Sequence, residues 1–317
     1  MPKRKRDEAG EERRGASNLL AANKDLGQNF LKNPAIVDAI VERAKLQATD
    51  SVLEIGPGTG NLTVKLLETA KKLTCVEFDR RMVREVLKRV ETDPRKHRLE
   101  MIHGDVLKVA LPYFDVCVAN LPYNISSPFL FKLLAHRPYF RSAVIMFQEE
   151  FAQRLSAKPG DALYCRLSVN TQLLAKVTQL IKVGRNNFRP PPKVDSRVVK
   201  IEVKNPPPPV NFVEWDGLIK LCFNRKNKTL RSTFTNKKTL VDLETSWKTF
   251  KALNDASAMS DADAAAPRDG ADAPNVKAIV EAIMEDPRFK DKRPAKMDLD
   301  DFLALLVAFN EKGLHFS

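Results

Sequence analysis

The stretch Val52-Leu53-Glu54-Ile55-Gly56-Pro57-Gly58-Thr59-Gly60 restricts the fold of this chain more than any other. An apolar run of strand length ends in three glycines at alternate positions, and a helical pattern opens after them. Glycines permit a sharp turn and let a ligand approach the backbone closely, so the pattern predicts strand, loop and helix with a crevice at the strand's carboxyl end. The spacing is GxGxG rather than GxGxxG, and the Lys-Ser/Thr ending of a phosphate-binding loop is missing. Glu54, just before the first glycine, would repel a pyrophosphate but suits a ligand with a cationic sulfonium and an amine.

The alternation continues along the chain. Apolar runs predict strands at 51–55, 73–78, 98–102, 114–119, 143–147, 176–183 and 198–203, with helices such as 62–70 and 81–90 between the early ones. Asn33-Pro34 reads as the cap and first turn of a helix through Ile36, Val37, Ile40, Val41 and Ala44. Strands alternating with helices imply a parallel sheet covered on both faces. The last two strands, joined by the loop 184–197, read as an antiparallel pair. The fold class is α/β: a doubly wound seven-stranded sheet of the kind common among S-adenosylmethionine enzymes, with a second, smaller helical domain.

Pro206-Pro207-Pro208-Pro209 is stiff, cannot join a sheet and closes the first domain. The expected division is a basic tail at 1–20, a catalytic domain at 21–208 and a helical domain at 209–317. Within the last, 254–275 is rich in Ala and Asp and reads as a flexible insertion. The chain has 317 residues and a net charge of +13, which points to a polyanionic partner. No apolar run approaches the length of a membrane span, so no membrane role is expected. The four cysteines lack the spacing of a metal site, and no metal is expected. Lys3-Arg4-Lys5-Arg6 reads as a nuclear address, an RNA-contacting arm or a solvated tail.

Residues at successive strand ends carry the chemistry. Glu77 ends the second strand, where a carboxylate can accept both hydroxyls of a ribose. Asp105 follows the third and can accept from an adenine amine. Asn120-Leu121-Pro122-Tyr123 follows the fourth. Gly56, Glu77, Asp105 and Asn120 should therefore meet in one crevice and hold S-adenosylmethionine. Methylating an exocyclic amine needs no metal and no strong base. It needs the nitrogen lone pair aimed at the methyl carbon, and acceptors that draw on the amine as positive charge grows. The Asn120 carboxamide and the Leu121 carbonyl can supply the acceptors, and Tyr123 can stack on the base.

Four segments together make the chain resemble the KsgA-type rRNA adenine N6,N6-dimethyltransferases: Gly27-Gln28-Asn29-Phe30-Leu31, residues 54–60, residues 120–128 and residues 188–196. Residues 223–230 and 309–317 are similar to the eukaryotic branch, whose members dimethylate two adjacent adenines near the 3′ end of 18S rRNA in nascent small subunits. The resemblance implies that Gln28, Asn29 (where many members carry His), Leu31, Gly56 and Gly58 line the cofactor beside Glu77, Asp105 and Asn120. It implies that Asn120, Leu121 and Tyr123 grip the target adenine while Phe188, on its proline-stiffened loop, stacks on the other face. Gln148-Glu149 would lie near this site. Arg225, Lys226, Lys228 and Arg231 read as phosphate contacts to RNA. The implied partners are small-subunit pre-rRNA and the pre-ribosomal particle, the implied state a monomer, and the implied place the nucleus and nucleolus. Two rivals stay open at this point: a ribosome-assembly factor acting mainly by binding, and a mitochondrial rRNA dimethylase.

Overall fold

The computed structural model describes residues 22–23, 26–258 and 275–316. The tail at 1–20, with its basic run, lies outside the described residues. The strands are β1 (Phe30–Leu31), β2 (Ser51–Ile55), β3 (Lys72–Glu77), β4 (Leu99–His103), β5 (Val116–Asn120), β6 (Ser142–Gln148), β7 (Ala175–Val183), β8 (Phe188–Arg189) and β9 (Ser196–Val203). Seven of them form one sheet in the order β4-β3-β2-β5-β6-β9-β7. β2 pairs in parallel with both β3 and β5, and β3 with β4 and β5 with β6 do the same. β9 runs antiparallel between β6 and β7. All seven expected strands are present, with bounds shifted by two residues at most. The chain steps outward from β2 to β3 and β4, then returns to β5 on the other side of β2. That reversal opens a crevice at the carboxyl ends of β2 and β5.

The first compact unit takes the chain up to Ser156 together with Leu174–Pro207. Its helices are α1 (Pro34–Ala44), α2 (Asn61–Thr69), α3 (Arg80–Arg89), α4 (Ser126–Ala135) and α5 (Glu149–Ser156). Asn33 caps α1, its side chain accepting from the Ala35 N–H, with Pro34 in the first turn as expected. On one sheet face, Val52, Cys75, Val118, Val144, Met146 and Val198 pack with Val37 and Ile40 of α1 and Leu66 and Leu67 of α2.

An unexpected element lies inside the loop 184–197. There β8 pairs antiparallel with β1, Leu31 opposite Phe188 and Phe30 opposite Arg189. The Lys32 N–H donates to the Asn187 carbonyl at 2.9 Å beside it. Two-residue strands from distant parts of the chain carry no periodicity, so sequence pattern could not announce them.

The second unit takes Ala157–Leu173 together with residues from Pro208 onward. Its helices are α6 (Arg166–Leu174), α7 (Phe212–Asn224), α8 (Leu230–Phe234), α9 (Lys237–Ala258), α10 (Val276–Glu285) and α11 (Leu299–Asn310). The units divide within the proline run, and the second also takes 157–173, unlike a single cut at 208. Side chains explain it. The fully buried Trp215 of α7 donates its indole N–H to Asn170 Oδ1 at 3.0 Å. Asp216 accepts from Arg166 Nε at 2.8 Å, and Tyr164 donates its hydroxyl to the Met297 carbonyl at 2.8 Å. The expected insertion at 254–275 also needs correction, because the backbone of α9 stays helical to Ala258. Its alanines favour helix. Residues 259–274 lie outside the described residues.

Glu54 shows how strand period overrides motif position. Residues on a strand alternate faces, so Glu54 shares a face with Val52 and turns toward α2. It is 1% exposed and accepts a hydrogen bond from the Cys75 thiol at 3.3 Å. Burial pushes its pKa up to about 7, against the pull of Thr63 and Cys75. The sequence reading of Glu54 as a partner for a cationic ligand is therefore corrected, since it is a core carboxyl on the α2 side of the sheet. Below the ordinary glutamate pKa both folded and unfolded chains hold this proton. As pH rises toward 7 the unfolded chain releases it first, so stability falls. Glu54→Gln should remove on the order of 2–3 kcal/mol of that fall. Urea denaturation of both proteins between pH 5 and 8 checks it, and parallel pH profiles would contradict it.

Candidate active site

The loop after β2 needs its glycines for two separate reasons. Gly56, Gly58 and Gly60 all have positive φ, at 65°, 55° and 80°, which side chains with a Cβ rarely adopt. At Gly58 there is also no room, because a Cβ would lie 2.9 Å from the Phe30 ring. The Phe30 ring thus lies close against the glycine loop, and both line a cavity of about 240 Å³.

Three segments far apart in sequence line this cavity: 26–31, 55–62 less Gly60, and 120–125, with contributions from 76–78 and 104–106. A Cβ on Gly27 would stand at ordinary contact distance from Pro122 and Asn124, and one on Gly56 from the Asn120 carbonyl and Pro122. Gln28 is held from both ends. Its amide accepts from the Asn23 N–H at 2.8 Å and donates to Asp79 Oδ2 at 2.9 Å. Asn29 donates its side-chain amide to the Gly27 carbonyl, which fixes the turn.

Glu77 is buried, with each carboxylate oxygen accepting one backbone N–H: Oε2 from Gly58 at 3.1 Å and Oε1 from Asp79 at 2.8 Å. The carboxylate keeps lone-pair capacity for a further donor. Burial raises its pKa, and the backbone hydrogen bonds from Asp79 and Gly58 offset this only in part. Asp105 accepts from the Leu107 N–H through Oδ1. Lys132 steadies the same loop by donating to the carbonyls of Leu107 and Val109. Asn120 donates through Nδ2 to the Asn29 carbonyl at 3.3 Å, so its Oδ1 remains as an acceptor. Leu121 is buried by its side chain, and Tyr123 stands half-buried in the short 3-10 turn Tyr123–Ile125.

The set of acceptors suits a nucleoside with vicinal hydroxyls and a base amine. The carboxylates Glu77 and Asp105, at successive strand ends, line the cavity together with a loop where a Cβ is excluded. Gln28, Asn29, Leu31, Gly56, Gly58, Glu77, Asp105, Asn120, Leu121 and Tyr123 all line this one cavity, as the sequence anticipated. Phe30 and the 57% exposed Phe78 line it too, and neither is among the residues expected from the sequence. Phe78 follows Glu77 directly, which was the available signal.

Phe188 is a correction. Pairing of β8 with β1 turns its ring into the core, where it is 1% exposed among Leu31, Val37, Val183 and Val198. It is absent from the cavity wall and offers no face to a base in this structure. Two of the four expected RNA contacts are also committed elsewhere. Lys226 donates to the carbonyls of Ala162 and Tyr164, each at 2.9 Å, and Arg231 pairs with Glu285. Arg225 and Lys228 are exposed and carry no ion pair among the described residues. Glu149 of the Gln148-Glu149 pair is bound by Arg197, at 2.7 Å through Nη2. Among the described residues no cluster of His, Cys, Asp and Glu could hold a metal ion, and no helix is long and apolar enough to cross a membrane.

The sheet order and this set of acceptors at its strand ends define a methyltransferase that uses S-adenosylmethionine. The family model "Ribosomal RNA adenine dimethylase" matches residues 19–266. A "Probable dimethyladenosine transferase" from Dictyostelium discoideum is 58% identical over 93% of this chain and 90% of its own length. A "Ribosomal RNA small subunit methyltransferase" from Arabidopsis thaliana is 48% identical, over 94% of this chain and 93% of its own. The crystal structure of a dimethyladenosine transferase from Plasmodium falciparum superposes with a TM-score of 0.81 at 45% identity, covering 91% of this chain and all of that one. The chain belongs to the ribosomal RNA adenine dimethylase family. It is an enzyme that dimethylates adenine in ribosomal RNA.

Glu77→Ala should weaken cofactor binding by the loss of charged hydrogen bonds, about 1.5–3 kcal/mol. Calorimetry reads it directly, and an unchanged affinity would remove Glu77 from the cofactor site. In the wild type, the same affinity should fall as pH is lowered, with a midpoint above that of an ordinary glutamate, because the raised pKa makes Glu77 take up its proton early.

Proposed function

We propose that this enzyme dimethylates two adjacent adenines near the 3′ end of 18S rRNA, acting as a monomer on nascent small subunits in the nucleus and nucleolus. The name of the Arabidopsis relative, which assigns that protein to the small subunit, supports the choice of RNA. The observation that carries the chemistry is the orientation of Asn120. With Nδ2 donating to the Asn29 carbonyl, the side chain offers only Oδ1 to an incoming amine. The Leu121 carbonyl, next along the chain and ahead of Pro122, is the second acceptor. Bound S-adenosylmethionine supplies an electrophilic methyl group on a sulfonium.

The residues of the chain do the rest. In the first transfer Asn120 and Leu121 accept from the two amine hydrogens, and in the second from the one that remains, which draws the nitrogen lone pair out of conjugation with the ring. They bind the amine more strongly as positive charge develops on it, so they lower the barrier rather than merely hold the substrate. The proton then leaves to solvent, and no side-chain base is required. Tyr123 presents its ring to the base. Since the amine of a paired and stacked adenine cannot reach a pocket at the strand ends, the base must be turned out of its stack. Gln28, Asn29, Leu31, Gly56, Gly58, Glu77 and Asp105 hold the cofactor.

The test is single-turnover methyl transfer on pre-small-subunit particles, with calorimetry for the cofactor. Tyr123→Ala should spare cofactor affinity and slow transfer, through lost stacking worth about 1–3 kcal/mol and lost aim. Asn120→Ala should cut transfer by more than it cuts cofactor affinity. Transfer at the wild-type rate by Tyr123→Ala would show that the adenine sits elsewhere.

RNA affinity should also fall steeply with added salt, given the +13 charge. Replacing Arg225 and Lys228 with Gln should flatten that dependence. Replacing Lys226, whose ammonium is already bound by two carbonyls, should mainly lower stability. An unchanged slope in the Arg225/Lys228 variant would place the phosphates away from this part of the chain.

A further inference from the structure

Tyr123 does not present a free hydroxyl. Its Oη lies 2.6 Å from Ser196 Oγ. The two partners differ in how firmly they are held. Tyr123 opens a single 3-10 turn in which no residue is buried. Ser196 is fully buried and is the first residue of β9. Opposite it in the sheet stands Gln148, the last residue of β6. The next residue, Arg197, closes a two-toothed ion pair on Glu149, with Nε at 3.0 Å and Nη2 at 2.7 Å from Oε1. The Glu149 N–H in turn donates to the Asp195 carbonyl at 3.0 Å. The serine hydroxyl is thus mounted where β6, α5 and β9 are locked together, and it reaches across to a side chain on a light turn.

We propose that Ser196 is a positioning residue for methyl transfer, holding the Tyr123 hydroxyl so that the ring offers a fixed face to the target adenine. The proposal rests on the reading that Tyr123 holds the base. A tyrosine ring has two rotatable bonds, and with its Cα set by the turn and its Oη set by the serine little rotamer freedom remains. The contact works in both directions, because the buried Ser196 hydroxyl would lose its partner if the ring swung away. It also gives a physical reason for tyrosine in the Asn-Leu-Pro-Tyr segment. Phenylalanine has the same stacking face but nothing for Ser196 to grip. A displacement of the base by even an ångström matters in a transfer that needs the nitrogen in line with the methyl carbon.

The experiment uses the full chain and four variants, S196A, Y123F, Y123A and S196A/Y123A, in single-turnover transfer on pre-small-subunit particles. RNA affinity, cofactor calorimetry and thermal melting accompany it. S196A and Y123F should each slow transfer at saturating RNA by about tenfold, a loss the size of one hydrogen bond. RNA and cofactor affinities should stay at wild-type values. Y123A should be slower still, and S196A/Y123A should be no slower than Y123A, since the serine then has nothing to position. A purely structural serine would slow the double variant further, in step with its melting temperature, and that result would overturn the proposal. So would wild-type rates in both S196A and Y123F beside a slow Y123A, with the base-holding role of Tyr123 left standing. A wild-type rate in Y123A would overturn the base-holding reading and the proposal with it. If S196A fails to fold, Y123F removes the same hydrogen bond from the half-buried side and decides alone.

Discussion

A Cβ placed on Gly56 would stand 3.6 Å from the Asn120 carbonyl oxygen and 4.0 Å from Pro122. That closeness follows from β2 and β5 being sheet neighbours, paired in parallel from Val52 opposite Val116 to Ile55 opposite Ala119. The rest of the site depends on it. Because both strands end at the same level, the glycine turn and the Asn120–Tyr123 tetrapeptide emerge side by side. The strand order puts Glu77 on one flank of this junction and the β6–β9 pair on the other.

Around that junction the polar groups fall into two kinds. Some are spent on the fold. Arg197 holds Glu149, Lys132 holds the loop after Asp105, and Lys226 holds the 162–164 carbonyls. Others are held from one side and left open on the other. Glu77 takes one N–H on each oxygen, Asp105 takes one on Oδ1, and Asn120 gives its amide to Asn29. A group fixed through part of its hydrogen-bonding capacity is oriented before any ligand arrives, which lowers the ordering cost of binding and catalysis. The segment at 26–31 matters for this reason. It contributes the Asn29 carbonyl that sets Asn120 and the Phe30 ring that seals the glycine loop.

Much of this was legible in the sequence because the informative residues sit at the ends of apolar runs. Strand ends can be read from periodicity, and a doubly wound sheet sends them to one crevice. Ten expected site residues meet there. What failed was anything that depends on which way a side chain turns or what it finds there. Glu54 sits beside the glycines but alternates onto the α2 face. Phe188 has a motif's neighbours, yet a two-residue pairing with β1 sends it into the core. Lys226 and Arg231 look like their free neighbours Arg225 and Lys228 until the carbonyls and carboxylate they meet are known. The transfer of 157–173 to the second unit rests on the Trp215–Asn170 and Asp216–Arg166 contacts, which no local pattern records.

We propose that the cavity at the ends of β2 and β5 carries out two methyl transfers to adenine N6, with Asn120 as the acceptor that orients the amine. Mass spectrometry of small-subunit rRNA fragments tests it most directly, after particles lacking the modification are incubated with S-adenosylmethionine and either the wild-type protein or Asn120→Ala. N6,N6-dimethyladenosine is expected with the wild type and unmodified adenine with the variant, at equal cofactor occupancy. Dimethyladenosine formed to the same extent by the variant would contradict it.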